Sequence, residues 1–256
     1  MTNERRVLVH PDKAGLAGAV AARFLTKTLD LLDDQPIVHV ALTGGSMGSA
    51  VLEAVAASPA RTSLDWSRVH FWWGDERWVP AGHEDRNDRL SHDALLDDLD
   101  LPDANLHPFP AADGDLDLDE AAVRYAAELA EWGTDGQAHP SFDITFLGVG
   151  PDGHIASLFP HRAGIEVVDR TVIAVRNSPK PPPERLSLTR PVLNASQRVW
   201  FVLAGADKAS ALGLALAGAS REEVPVAGIK GRKRTVFFVD RDAAAEVPAA
   251  LIDPDY

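Results

Sequence analysis

The chain has 256 residues, no cysteine, and 38 acidic against 25 basic side chains, for a formal net charge of −13. That length buries a sizeable core without staples, and the missing cysteine excludes disulfides, thiolate metal sites and a cysteine nucleophile. No basic face is apparent for nucleic acid, the opening residues 1–6 lack the apolar stretch of a leader, and no apolar run approaches the ~20 residues of a membrane span. A cytoplasmic protein with neither nucleic-acid nor membrane partners is expected, and nothing in the sequence fixes its oligomeric state.

In chain order, residues 7–9 predict a first strand, and Asp12 predicts the cap of a helix reaching residue 32, with Leu16, Val20, Phe24 and Leu25 near helical spacing. A strand at 37–42 runs into a helix ending near 57. A strand at 69–73 precedes a helix at 87–96. The acidic stretch 97–131, densest at 113–120, reads as a solvated loop entering a helix at 120–132, where carboxylates suit the helix dipole. It lacks the ligand spacing of an EF-hand. Strands at 142–147, 172–175, 186–188, 199–203 and 235–239 follow, with helices at 190–195 and 207–217. This alternation predicts an α/β fold: one domain over 1–256, a mostly parallel central sheet with helices on both faces, a Rossmann-like three-layer sandwich. The run Pro179-Lys180-Pro181-Pro182-Pro183 reads as a stiff loop, a plain surface connection in preference to the rim of the site.

Several of these strands end in polar loops, the place where open α/β sheets bind ligands. The stretch 148–161 sets Gly148, Gly150 and Gly153 beside Asp152 and His154. Glycines there permit sharp turns, and an imidazole is the side chain suited to proton transfer near neutral pH. The loop Thr43-Gly44-Gly45-Ser46 opens a helix, where main-chain N–H groups and a hydroxyl make an anion site. No Gly-Lys-Ser/Thr follows, so a nucleotide P-loop is not expected. Asp75, Glu76 and Arg77 end the third strand, and Arg77 is read as a forked phosphate donor. Lys208 supplies a second positive charge. Ser46 is not read as a nucleophile: Gly44–Gly48 is taken to lack the Gly-x-Ser-x-Gly elbow, and a serine in a phosphate-cradling loop is poorly placed to attack a carbonyl. His154 and His161 are seven residues apart with Pro160 between them, unlike a zinc-binding helix pair. Trp72, Trp73 and Trp78 are read as packing rather than sugar stacking.

Together, Leu42–Ser46, Trp73–Arg77 with Val79, Pro80 and Asn87, Leu147–Pro160, Ser178–Arg185 with Leu188 and Thr189, and Gly205–Ala209 resemble the 6-phosphogluconolactonase family. The motifs occur in order from about residue 37 to 217. The same superfamily holds glucosamine-6-phosphate deaminase, which typically continues Asp-Gly-His-Ile-Ala with Phe-Asn-Glu-Pro. This chain continues Ser157-Leu158-Phe159-Pro160, so the glutamate that helps orient the deaminase histidine is missing. The deaminase remains the nearest rival. A sugar-phosphate sensor lacks support, because no helix-turn-helix accompanies the domain. Many members carry Asp-Ser-Asn where this chain has Asp85-Arg86-Asn87, which places Arg86 at the site rim or in solvent.

The resemblance implies hydrolysis of a phosphorylated sugar lactone, with His154 as general base and Asp152 or a neighbouring carbonyl fixing its tautomer. It implies a phosphate set of Gly44, Gly45, Ser46, Arg77 and Lys208, with Asp75 also at the substrate. Glycine-loop N–H groups or Arg77 stabilise the oxyanion. The chemistry calls for no metal and no organic cofactor.

Overall fold

The structure, a computed structural model, describes residues 5–134 and 136–252. The opening residues 1–4, part of the stretch read as lacking a leader, lie outside that range. In chain order the elements are β1 (Arg5–His10), α1 (Lys13–Asp34), β2 (Val38–Leu42), α2 (Gly45–Ala57), β3 (Val69–Trp73), β4 (Asp75–Arg77), α3 (Asn87–Ala94), β5 (Leu106–His107) and α4 (Leu118–Glu131). There follow β6 (Ile144–Gly148), β7 (Val172–Val175), β8 (Arg185–Leu188), α5 (Arg190–Ala195), β9 (Arg198–Leu203), α6 (Ala209–Leu216) and β10 (Arg234–Asp240), with short 3₁₀ turns between. Asp12 caps α1 as expected, accepting from the Gly15 N–H at 2.8 Å. Asp117 and Glu120 close a capping box on α4, so the acidic loop does run into a helix start.

Seven strands form one parallel sheet in the order β1-β10-β9-β6-β2-β3-β5. Both faces are covered. Along the paired strands, Val7, Phe237 and Phe201 are buried on one side and Leu8, Phe238 and Trp200 on the other. That burial explains why these strands read as continuous apolar runs rather than alternating ones.

The strands at β7 and β8 depart from the expected central sheet. They pair antiparallel with each other, and β8 pairs antiparallel with β4. The reason is the connection: parallel neighbours need a crossover, usually a helix, whereas 176–184 is a proline-rich loop without one. Gly74 joins the two sheets. Its N–H donates to the Leu42 carbonyl of β2 at 2.9 Å, and its carbonyl accepts from the Leu188 N–H of β8 at 2.9 Å.

Trp72 and Trp73 are fully buried, as their packing assignment requires. Trp72 stacks on His107 at 3.8 Å between ring centres and donates from Nε1 to His39 Nδ1 at 3.1 Å. His70 Nδ1 meets His107 Nε2 at 3.0 Å, and Glu128 takes the other nitrogen of His107 at 2.9 Å. Burial, then the neighbouring His70 and His107, push the His39 pKa down to about 3. A base depressed in the folded state stabilises fully above its unfolded value near 6.5, and that contribution is lost as pH falls toward 3. The part of the urea midpoint that His39 carries, read as wild type minus His39→Asn, is expected to be flat above pH 6.5 and to drop below it. His39→Asn keeps an acceptor for Trp72, and a difference that stays flat below pH 6.5 would refute the assignment.

Candidate active site

The order of the parallel sheet reverses between β2 and β6. The chain lays β3 and β5 on one side of β2, then returns to place β6 on the other. Such a reversal leaves a crevice at the carboxyl ends of the two strands. The Gly148 N–H donates to Thr43 Oγ1 at 3.1 Å and ties the two ends together. A cavity of about 200 Å³ opens there, lined by Gly44, Gly45, Ser46, Asp75, Arg77, His154 and Lys208 among others.

His154 stands on a tight loop. The Gly150 N–H donates to the His154 carbonyl, and the Gly153 N–H donates to the Gly150 carbonyl, both at 2.9 Å. Gly153 has φ of +80°, a conformation that side chains rarely adopt. Gly150 is required for a different reason: a Cβ on it would overlap the imidazole and lie 2.6 Å from Asp152 Oδ1. Asp152 Oδ1 accepts from His154 Nδ1 at 2.5 Å, so the carboxylate, not a carbonyl, orients the ring. That assigns the proton to Nδ1 and leaves Nε2 as a base. Burial pushes the Asp152 carboxyl up, but the hydrogen bond and charge of His154 outweigh it and hold its pKa at about 2. The pairing therefore stabilises fully above pH 3.8 and fades as pH falls toward 2. Phe159 packs against the imidazole with ring centres 4.6 Å apart.

A buried polar scaffold supports the other wall. Asp75 Oδ2 accepts from Ser157 Oγ at 2.6 Å, and Asn87 Nδ2 donates to the Asp75 carbonyl at 2.8 Å and to its Oδ1 at 3.2 Å. Both carboxylate oxygens of Asp75 thus hold protein groups, although the residue lines the cavity. Asn87 Oδ1 is buried without a hydrogen-bond partner among the described residues, and Gly44 leaves room for it. Glu76 caps α3 from outside the helix, accepting from the Asn87 N–H at 2.7 Å and the Asp88 N–H at 2.9 Å. It also accepts from the Arg77 N–H at 2.7 Å. Burial raises the Glu76 pKa to about 7 against the pull of Arg86 and the two helix amides.

Arg86 corrects its expected place. It is neither at the rim nor in solvent but only 1 % exposed. Its Nε and Nη2 fork onto Asp88 at 2.8 and 2.9 Å, Nη2 also reaches the Phe109 carbonyl at 2.7 Å, and Glu76 lies 3.7 Å away. A guanidinium is the cation whose planar fork matches such an arrangement.

The cations converge as expected, with two additions. Arg77 lines the cavity, donating from Nη1 to the Asp85 carbonyl at 2.6 Å while its Nε is buried without a partner among the described residues. Lys208 lines it too, next to Asp207 at 2.8 Å. Lys180 and Arg185 also face the cavity, so the proline run is not a plain surface connection. Arg185 collects the carbonyls of Lys180, Pro181 and Pro182 at 3.0–3.1 Å and holds the loop over the site. The sequence signal was present in the alternation of Lys180 with prolines, which stiffen a chain without burying it. Arg77 and Arg185 sit directly opposite each other on β4 and β8. Like charges in that position oppose folding, which marks an anion site.

Two patterns need the backbone to be read correctly. Gly44-Gly45-Ser46-Met47-Gly48 does match Gly-x-Ser-x-Gly, so spacing alone does not dismiss a serine nucleophile. In an elbow the serine itself occupies the strained turn. Here the positive φ, +78°, belongs to Gly45, and Ser46 sits in the first turn of α2 with no hydrogen bond to His154. Because Gly44 caps α2 without a side chain, the first-turn N–H groups face the cavity uncapped. Gly148-Val149-Gly150-Pro151-Asp152-Gly153 spells the dinucleotide fingerprint after a strand, yet turns rather than a helix follow it. Its glycines serve the histidine loop.

A reversal-point crevice with a carboxylate-held imidazole and four cations has the make-up of a site for a small anion. The chain belongs to the family of glucosamine-6-phosphate isomerases/6-phosphogluconolactonase, whose model matches residues 11–238. It is 45 % identical over 258 residues to the 6-phosphogluconolactonase of Streptomyces coelicolor, covering 99 % of each chain. It is 41 % identical over 243 residues to that of Mycobacterium tuberculosis, covering 94 % of this chain and 98 % of the relative. Among solved structures, the 6-phosphogluconolactonase of Thermotoga maritima superposes with a TM-score of 0.81 at 28 % identity, over 93 % of this chain and all of the other.

Arg86→Met would leave the buried Glu76 carboxylate and the half-buried Asp88 without their cation. It is expected to cost roughly 3–5 kcal/mol of unfolding free energy. Urea denaturation reads this, and a loss below about 1 kcal/mol would show that Arg86 carries no such weight.

Proposed function

We propose that the chain hydrolyses 6-phospho-D-glucono-1,5-lactone to 6-phospho-D-gluconate, the second step of the oxidative pentose phosphate pathway. The observation that carries this reading is the Asp152–His154 pair beside a cavity lined by Arg77, Lys180, Arg185 and Lys208. The names of the relatives support the lactone as the substrate.

The phosphate of the substrate rests on the first turn of α2 at Gly44, Gly45 and Ser46, with Arg77, Lys208 and the added Lys180. Anchoring at C6 presents C1 to His154, and orientation of this kind contributes several kcal/mol to catalysis. Water adds to C1 as His154 Nε2 takes its proton and the carbonyl electron pair moves onto oxygen. Main-chain N–H groups of the glycine loops take up that charge. Collapse re-forms the carbonyl and breaks the bond from C1 to the ring oxygen, which receives the proton held on Nε2. One water is consumed, the product acid ionises, and the step is redox-neutral. Asp152 stays ionised throughout the neutral range and stabilises the imidazolium. Asp75 acts through Asn87 and Ser157 rather than on the substrate.

The deaminase reading is weaker on one specific contact. Phe159 occupies the position of the deaminase glutamate and lays an apolar ring on His154.

The test generates the lactone in place from glucose 6-phosphate and follows 6-phosphogluconate above the spontaneous rate. Wild type accelerates the reaction, and His154→Ala lowers kcat by about 10²–10⁴. No acceleration by folded wild type, or ammonia release from glucosamine 6-phosphate instead, would overturn the lactonase. Gly150→Ala is a sharper probe, because φ at Gly150 is not positive and the atoms nearest a Cβ there belong to the His154 imidazole and the Asp152 carboxylate. It should cut kcat by more than about tenfold with the urea midpoint near that of wild type. Unchanged kcat would mean that Gly150 does not position the ring.

A further inference from the structure

Two adjacent glycines open α2, and the backbone explains only one of them. Gly45 has φ of +78°, whereas Gly44 has φ of −81° and ψ of −164°, extended backbone that any residue adopts. The reason for Gly44 lies in its neighbour from α3. A Cβ built on Gly44 would lie 1.7 Å from Asn87 Oδ1 and 2.4 Å from Asn87 Cγ. The Asn87 amide fills the space that a side chain at Gly44 would need, and its oxygen rests against the Gly44 Cα.

The orientation of that amide is fixed. Nδ2 donates to the Asp75 carbonyl at 2.8 Å and to Asp75 Oδ1 at 3.2 Å, so turning the amide over would set its oxygen against two others. Oδ1 has to point the other way, towards α2, where it is buried with no hydrogen-bond partner among the described residues. A Cα–H group is at best a weak donor, and a buried acceptor without a proper one costs folding free energy. An oxygen kept there at that cost calls for a reason beyond packing.

Asn87 stands between the two halves of the anion site. Its main-chain N–H and that of Arg77 donate to the same Glu76 oxygen, each at 2.7 Å. Its backbone is thus tied to the strand that carries Arg77. Its side chain touches Gly44, the cap of the helix whose first turn, Gly45 and Ser46, lines the cavity. The residue is only 1 % exposed and its amide is held on both sides, so it acts as a rigid spacer. We propose that Asn87 is a positioning residue for the substrate phosphate: the contact of its amide with Gly44 sets the separation between the first turn of α2 and Arg77. It governs affinity for the anion rather than the rate of the step at His154. This role rests on the lactonase reading for its kinetic readout alone.

The test is a double-variant cycle between positions 44 and 87 in the full chain. It is read on lactone hydrolysis and, independently of turnover, on binding of inorganic phosphate followed by phosphorus NMR. Asn87→Ala is expected to raise both KM for the lactone and Kd for phosphate by about fivefold or more, with kcat within about threefold of wild type. Asn87→Ser takes its place if the alanine variant does not fold. Gly44→Ala alone pushes the amide aside and should weaken both affinities by about tenfold or more. In the Asn87→Ala background the obstructing amide is gone, and the same change at Gly44 should cost less than about twofold further. If Gly44→Ala alone does not fold, the double variant is expected to fold with the affinities of Asn87→Ala. The proposal is overturned if Asn87→Ala lowers kcat and the urea midpoint while KM and phosphate Kd stay at wild-type values. It is equally overturned if Gly44→Ala costs as much without Asn87 as with it. No turnover by wild type, with the phosphate results as expected, would sink the lactonase reading and support this role.

Discussion

The structure depends on where a parallel sheet must change direction. Parallel neighbours cannot be joined by a tight turn, so every connection crosses a face of the sheet. The chain builds outward from β2 in one direction through β3 and β5, then has to cross back to lay down β6 on the other side. The crevice between the carboxyl ends of β2 and β6 follows from that reversal of strand order. Thr43 and Gly148 bond across it, which fixes its width. The α2 terminus, the histidine loop and the strand leading to Arg77 are all carried to this point by strands that end there.

The walls of the crevice are assembled from buried charges, which a hydrophobic core would avoid. Glu76, Arg86 and Asp88 form a desolvated group whose gain in stability over apolar side chains is small at best. What the group supplies is direction. Glu76 holds three main-chain N–H groups from two elements, so the start of α3 and the backbone at Arg77 are placed by one carboxylate. Arg185 does the same for the proline loop with three carbonyls. Glu76 thus holds the backbone at Arg77 from behind without lining the cavity, whereas Arg185 both anchors the proline loop and faces the cavity.

The elements of the central sheet were legible because burial on both faces leaves apolar runs, unbroken at Val199–Leu203 and interrupted only by Thr145 at Ile144–Leu147. The small sheet was not. Asp75-Glu76-Arg77 has the composition of a loop, and its strand character comes only from pairing with β8, more than a hundred residues away. Pairing over that separation leaves no local pattern. His154 and Asp152 were readable because two residue types suited to proton transfer sat between glycines after a strand. Arg86 was misplaced, since a charged residue in a polar stretch gives no sign that two carboxylates and a carbonyl await it inside. Asn87 and Gly150 escaped individual notice for a related reason. The first matters for an oxygen left unpaired, and the second for a side chain it does not have.

Gly74 has a mechanical consequence. Its N–H and carbonyl are committed in opposite directions, one to the parallel sheet and one to the antiparallel sheet. The two sheets share this residue as a rivet, and sliding one past the other would break a main-chain hydrogen bond. Arg77 and Arg185 ride on one sheet, while the α2 terminus and the histidine loop ride on the other. Their spacing is thus set at folding rather than on contact with a ligand. Such a crevice resembles a fixed gauge: Gly74 holds the cations on one sheet and the imidazole carried by the other at one separation, to which a ligand has to conform.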